Sequence, residues 1–357
     1  RDRSPSRGLG DVYKRQSTDR TQFLSIATQA TRLTLPQLVR EEEEHRGAKN
    51  LITPWQSVGA KGVVTLASKL MLALVPPNTS FFKLQLDDSV LQGEGFPPEA
   101  RSELDLSFAK IERTILESIA ASSDRVVIHQ ALKHLIVTGN VLLYIPDSGQ
   151  MRVFHLDRYV VKRDPMGNVS EIIIEEEVSP TVLPPDFLPK DLKQKDDYSK
   201  EKTIKIYTCV KYKDGKCMWY QEVKGKPVPN TYGMSPADCS PFIPLRWSQI
   251  ESEDYGRSFI EQWYGDLTAL ENLYQSILEA SAMLSKVLFM VSPAGTTRPR
   301  TLVNAENGSV IQGSANDVTV LQAQGKLNDL SLANNTIDRI ENRLSFAFLL
   351  NLSLIHI

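Results

Sequence analysis

Cysteine is scarce: Cys209, Cys217 and Cys239 are the only three in 357 residues. None sits in a C-x-x-C pair, and an odd count completes no disulfide framework, so zinc-ribbon and disulfide-scaffold classes drop out. Asp214-Gly215, between the first two, is a hairpin signal; it predicts Cys209 and Cys217 near each other on neighbouring strands, reduced and half-buried. Long apolar runs are also missing. The longest, LMLALV at residues 70–75, falls far short of the roughly 20 residues that span a bilayer, so no membrane partner is expected. No N-terminal stretch joins a basic region, an apolar core and a cleavage site, and an intracellular setting is expected. A basic excess is lacking too: 41 Lys and Arg face 43 Asp and Glu, for a net charge of −2. Tight duplex binding draws on many cations that displace counterions, so a sequence-reading DNA binder is disfavoured, whereas a surface that DNA slides past is not.

Signatures of chemistry are equally sparse. Gly215-Lys216, Gly225-Lys226 and Gly325-Lys326 lack the upstream glycine and the following Ser or Thr of a phosphate-binding loop. No H-E-x-x-H, G-x-S-x-G or Cys-His arrangement occurs. His129 and His134 are five apart, a spacing that does not share a helical face, and read as ordinary helix residues. No catalytic residue, metal ligand or cofactor is assigned, and the chain reads as a non-enzyme.

What is present is a mixed α+β pattern. Thr53 and Gln56 have capping-box spacing ahead of a helix with Val63, Leu66, Ala67, Leu70, Met71 and Leu74 on one face, stopped by Pro76-Pro77. SFFKLQL at residues 80–86 alternates like a strand. A second helix over residues 98–121 carries Leu104, Phe108, Ile111, Ile115 and Ile119 on its buried stripe. Residues 141–247 turn to strands with hairpin spacing, predicting a compact, mainly antiparallel β-region. The runs REEEEHRG (40–47) and PKDLKQKDDYSKEK (189–202) read as solvated segments.

The two ends look foreign. DVYKRQ at residues 11–16 back-translates as GAT GTG TAT AAG AGA CAG, and LSLIHI at 352–357 as its reverse complement. An inverted repeat of that kind resembles a transposon-derived sequencing adapter, so residues 1–16 and 352–357 are set apart as non-native and excluded from the expected fold.

Most telling is a narrow stripe. Trp263, Leu267, Leu270, Tyr274, Ile277, Ser281, Leu284 and Leu288 follow one another at steps of four and three. That heptad seam spans more than three heptads and calls for another helix along it. A second amphipathic helix, residues 326–351, has Ile337, Ile340, Leu344 and Phe348 on one face.

The blocks TPWQSVGAKGVVTLASKLMLAL, ALKHLIVTGNVLLYIP, YVVKRDPMGNV, DYGRSFIEQWYGDLTALENL, SKVLFMVSPAGTTRPR and RIENRLSFAFLLN, in that order, resemble the head-to-tail connector, or portal, proteins of short-tailed bacteriophages. The resemblance covers nearly all of residues 18–351 and lacks the family's C-terminal part. It implies the portal fold: a helical and antiparallel-β wing (17–255), a first stem helix (256–287), a small clip (288–325) and a returning stem helix (326–351). It further implies a ring, typically a dodecamer, at one capsid vertex of the virion, made in the host bacterial cytoplasm. Double-stranded DNA passes non-specifically through the ring, and terminase, tail adaptor, scaffold and capsid proteins are its partners. On this reading Trp263, Leu267, Leu270, Tyr274, Ile277 and Leu284 form the seam between copies; from the residues alone, an intramolecular helical hairpin packed on the β-region covers the stripe equally well. Arg298 and Arg300 at the clip meet motor or tail proteins, and Lys286, Arg339 and Arg343 face the DNA. The alternative is a phage scaffold or adaptor that conducts no DNA.

Overall fold

The computed structural model of the chain describes residues 8–39, 52–77, 79–85, 98–147, 149–179, 203–284, 288–293, 296–306, 309–321 and 327–351. Its first helix, α1 (Leu9–Arg32), begins inside the segment set apart above as adapter-derived. Leu9 and Tyr13 are buried with Val160, Ile173 and Cys209, and the Tyr13 hydroxyl donates to the Asp157 carbonyl at 3.0 Å. Residues 9–16 therefore pack as part of the fold, which corrects their exclusion from it. One turn and more along, the buried Arg20 guanidinium donates to the carbonyls of Leu156 and Tyr159 at 2.9 and 2.7 Å. These charge-assisted bonds hold α1 on the sheet.

Three helices follow: α2 (Val58–Leu74), α3 (Pro98–Ala121) and α4 (Asp124–Thr138). α2 starts later than the Thr53–Gln56 spacing predicts, because tertiary partners take over the capping. The Gln56 amide accepts from Gly59 N–H at 2.8 Å and donates to the Leu33 carbonyl at 2.6 Å. Val63, Leu66, Ala67 and Met71 are buried as the spacing predicts, while Leu74 at the last turn is exposed. Gly62 sits against a ring: a Cβ there would stand 2.5 Å from Phe348 Cγ. Gly62→Ala is expected to cost about 1–3 kcal/mol through overpacking, read as a lower urea midpoint at unchanged slope.

α3 departs from expectation. Its stripe is not core: Leu104, Phe108 and Ile119 are half-covered, and Ile111 and Ile115 are exposed. The neighbouring residues 80–85 form no strand, since the Leu84 N–H goes to the Glu112 carboxylate at 2.5 Å and no strand pairs with them among the described residues. The runs at 40–47 and 189–202 lie outside the described residues.

α4 ends at Gly139, whose φ of +74° favours glycine, and passes directly into strand β1 (Asn140–Tyr144). β1 lies between β2 (Arg152–Phe154) and a late strand, β9 (Phe242–Arg246), in a three-stranded antiparallel sheet. A second sheet runs in sequence order through β3 (Tyr159–Arg163), β4 (Val169–Val178), β5 (Ile204–Lys213), β6 (Lys216–Val223) and β7 (Lys226–Pro227), with β8 (Gly233–Pro236) also pairing β6. Leu142, Phe154 and Phe242 of the first sheet share a core with Ile172, Ile174 and Val210 of the second. The antiparallel β-region is thus as predicted, but the cysteine pairing is not. Cys209 pairs with Tyr220 and Cys217 with Tyr212, so the two thiols lie on opposite faces and enter different clusters. Burial pushes the Cys209 thiol up to about 11, away from reactivity.

The chain then enters α5 (Phe259–Leu284), about 39 Å long at 1.5 Å per residue. A small excursion follows: β10 (Leu288–Val291) pairs antiparallel with β11 (Val318–Leu321), and the short α6 (Pro299–Val303) lies between them. The last helix is α7 (Leu327–Ala347). It runs antiparallel to α5, since Phe259 meets Phe348 at 5.7 Å while, further along α5, Tyr274 bonds Glu341. α7 stops short of the expected residue 351. Leu349 has φ +57° and Leu350 N–H bonds back to the Ser345 carbonyl at 2.8 Å. The Lys69 ammonium from α2 then caps the Leu349 carbonyl, a favourable charge at a helix C-terminus.

Candidate functional site

The antiparallel pair α5 and α7, with the excursion that joins them, carries every residue assigned a role from the sequence. The start of α5 is locked in place by local chemistry. The Asn140 amide bonds Gly256 in both directions, at 2.8 and 2.7 Å. Arg257 spans Glu253 and Glu261 at 2.5 and 3.0 Å, both four residues away. The i, i+4 spacing of these three was readable from the sequence and was passed over.

The heptad stripe splits in two. Leu267 and Leu270 are fully buried within one chain, in a core shared with Val63, Ile136, Ile337, Ile340 and Leu344. They cannot also face a sister copy, which corrects their assignment to a seam between copies. The helix that the seam calls for is supplied by the same chain, as α7 with α4 beside it. Trp263, Tyr274 and Ile277 are half-buried against that core. The Trp263 indole nitrogen is buried without an acceptor among the described residues. The Tyr274 hydroxyl donates to Glu341 at 2.5 Å; this bond, then burial, pushes its pKa up to about 12. Beyond Ile277 the cover ends: Leu278 is 47% and Met283 70% exposed, and Ser281 faces solvent. The Leu284 side chain lies outside the described residues.

The acids of α5 are largely engaged. Glu271 accepts the N–H groups of Trp55 and Gln56 at 2.8 and 3.2 Å, tying α5 to the approach to α2. Asp266 pairs with Arg343 of α7 at 2.7 Å. That pair is a surface contact worth at most about 1 kcal/mol, so Arg343→Ala should shift the urea midpoint little, with a stability change under about 1 kcal/mol. Arg339 is exposed; Lys286 lies outside the described residues. Together α5 and α7 carry only two cations, Arg339 and Arg343, against Glu261, Asp266, Glu271, Glu279, Asp329, Asp338 and Glu341.

In the excursion, Asp317 accepts from the backbone N–H groups of Thr296 and Thr297 at 2.8 and 3.2 Å and from both hydroxyls. These bonds hold its carboxyl below the usual carboxylate range against the opposing cost of desolvation. The clasp sets Arg298 at the N-cap of α6, with Arg300 in its first turn and both exposed. A hollow of about 500 Å³ lies beside Arg300, which lines it with Thr301, Asn304, Glu306 and Val310 among others. Among the described residues no group of three or more His, Cys, Asp or Glu is placed to hold a metal ion, and no helix is long and apolar enough to cross a membrane.

Comparison with known proteins identifies relatives along most of the chain. The family model for the bacteriophage head to tail connecting protein matches residues 7–356. The portal protein of Escherichia phage T7 is 37% identical over 352 residues, covering 96% of this chain and 65% of its own length. That of Enterobacteria phage T3 is 36% identical over 356 residues, covering 96% and 66%, and that of Enterobacteria phage SP6 is 29% identical over 345 residues, covering 95% and 65%. The chain thus spans about two thirds of the length of these curated relatives. With its match running almost from end to end, the chain belongs to the bacteriophage head-to-tail connecting protein family.

Proposed function

We propose that the chain is a structural, non-enzymatic subunit of a ring-shaped portal at one capsid vertex of the virion, through which DNA enters during packaging and leaves during ejection. The observation that carries this reading is the 37% identity to a portal protein over 96% of the chain. On this reading the α1–α4 helices and the two sheets, residues 17–255, are the wing. α5 with its flanks (256–287) and α7 (326–351) are the stem, and the β10–α6–β11 excursion (288–325) is the clip.

Charge supports a conduit. A wall rich in cations would hold phosphates at every subunit, and the grip would multiply around a ring. The α5 and α7 helices carry two arginines against seven acids, and with the flanking Arg257, Lys286 and Lys326 the stem still holds fewer cations than acids, which would instead let a duplex slide. Arg339, exposed on α7, remains the candidate for a weak phosphate contact, and Lys286, outside the described residues, keeps the role proposed from the resemblance. Arg298 and Arg300 project from the clip beside the hollow, where terminase or tail proteins would dock. Contacts between stems fall to the lower, uncovered half of α5, at Leu278 and Met283, and to Leu332 of α7, which is 68% exposed.

Electron microscopy of the complete gene product tests the reading. Closed rings with an opening wide enough for a B-form duplex are expected. Particles that stay monomeric, or that close without such an opening as an adaptor or scaffold would, overturn it.

A further inference from the structure

The excursion between α5 and α7 has little apolar packing to hold it. None of its residues enters a core cluster among the described residues, and its strand pairing there is β10 with β11. A two-stranded pair standing alone is marginally stable in water. Order at the tip therefore rests on polar contacts, and four of them converge on one atom. Asp317 Oδ2 accepts the backbone N–H and the hydroxyl of both Thr296 and Thr297. Thr296 and Thr297 precede Asp317 by 21 and 20 positions, so a single carboxylate oxygen ties the two limbs of the excursion together. The Asp317 backbone repeats the link, its carbonyl accepting from the Ser292 N–H at 2.8 Å.

From that grip to the arginines the path is short and stiff. Arg298 follows Thr297 directly, Pro299 has its φ fixed by the ring, and the Thr301 N–H closes on the Arg298 carbonyl at 3.0 Å. Arg298 and Arg300 are both exposed, and neither guanidinium has a partner among the described residues. Arg163, Arg246, Arg257 and Arg343, by contrast, are all hydrogen-bonded or paired. An unengaged guanidinium presents a planar fork of donors that matches a carboxylate. Two cations are few for a phosphate surface, whose grip grows with the number of contacts, and Glu306 shares the hollow with Arg300. We infer that Asp317 is the positioning residue of a carboxylate-binding face. By clasping Thr296 and Thr297 it holds Arg298 and Arg300 in the pose in which they meet acidic side chains of a partner protein. The inference rests on clip docking in the proposed function and adds the partner's chemistry and the residue that sets the pose.

Charge alone would have the opposite effect. Removing an acid beside an anion-binding face strengthens binding, whereas losing the clasp weakens it. Fluorescently labelled hexaglutamate is titrated at low salt into the complete gene product and its variants, and binding is read by anisotropy. Arg298→Ala/Arg300→Ala is expected to weaken binding about tenfold, the scale of one lost charge-assisted bond. Asp317→Ala should weaken it similarly, and Asp317→Asn, equally uncharged but still offering an oxygen acceptor, should recover most of the loss. Amide exchange at Thr296 and Thr297 should quicken in Asp317→Ala and stay slow in Asp317→Asn. Equal binding by the two Asp317 variants, whatever its strength, overturns the inference, as does a wild type that binds no hexaglutamate. So does a short DNA duplex bound more tightly than hexaglutamate through the same two arginines, because the face then reads phosphate. Should Asp317→Ala misfold, Thr297→Val decides, since it removes one of the four bonds and leaves every charge in place. A smaller loss of binding supports the inference; unchanged or tighter binding overturns it. None of these readings needs a ring, so a complete gene product that stays monomeric refutes the portal reading and leaves the clasp to be judged separately.

Discussion

Leu270→Asp should unfold the helical half of the chain, with a loss of several kcal/mol. Leu270 is fully buried among apolar residues from α2, α4 and α7. A carboxylate there finds no partner, and an unpaired buried polar group of this kind costs several kcal/mol. Domains of this size are stable by only about 5–15 kcal/mol in all. The expected result is a steep fall in melting temperature or outright loss of helix signal. Leu278→Asp, two turns further along the same helix at a position 47% exposed, should change stability by less than about 1 kcal/mol. Equal melting of the two variants would contradict the internal closure of the stripe.

Acid should weaken the fold through His134. This imidazole is fully buried, and neither ring nitrogen has a partner among the described residues. Its ring centre lies 4.2 Å from that of His155, whose Nδ1 is 3.1 Å from the Leu38 carbonyl. Burial first, then His155 and Lys133, lowers the His134 pKa from 6.5 to about 3. A folded-state value below the unfolded one means that the unfolded chain takes the proton more readily. The stability is therefore whole above about pH 6.5, falls by up to about 1.4 kcal/mol per pH unit below it, and levels near pH 3. Between pH 7 and 5 the loss from this residue alone is about 2 kcal/mol. His134→Leu should remove that share, so urea midpoints at the two pH values should converge relative to wild type. An unchanged acid shift in the variant would assign the sensitivity to other groups. His129, whose pKa burial and Lys133 also lower, supplies a smaller background in both proteins.

Residue spacing made the elements legible. The 3.6 period marked α2, α3, α5 and α7, and turn chemistry such as Asp214-Gly215 marked the β5–β6 hairpin. These depend on neighbours a few positions apart. Ends and capping were harder. α2 begins where Gln56 finds Leu33 and where Glu271 takes two N–H groups, and α7 stops under Lys69. Each of these partners lies far away in the chain, so no local pattern announces it.

The same division separates the site into a readable and an unreadable part. Spacing identified a stripe that needs a helix, at Leu267 and Leu270 on α5 and again at Ile111 and Ile115 on α3, because the period of a helix brings such residues to one face whatever surrounds it. Which helix covers each stripe depended on how the chain folds back. α7 and α4 close over the first, and nothing among the described residues closes over the second. Periodicity is a property of one segment, whereas cover is a property of two. For this protein the sequence alone determined the family, the helices α2, α3, α5 and α7 and the antiparallel character of the β-region, because those signals come from residues a few positions apart. The tertiary structure alone decided which apolar faces are covered within the chain and which it leaves open, because cover requires a second segment brought in from far along the sequence.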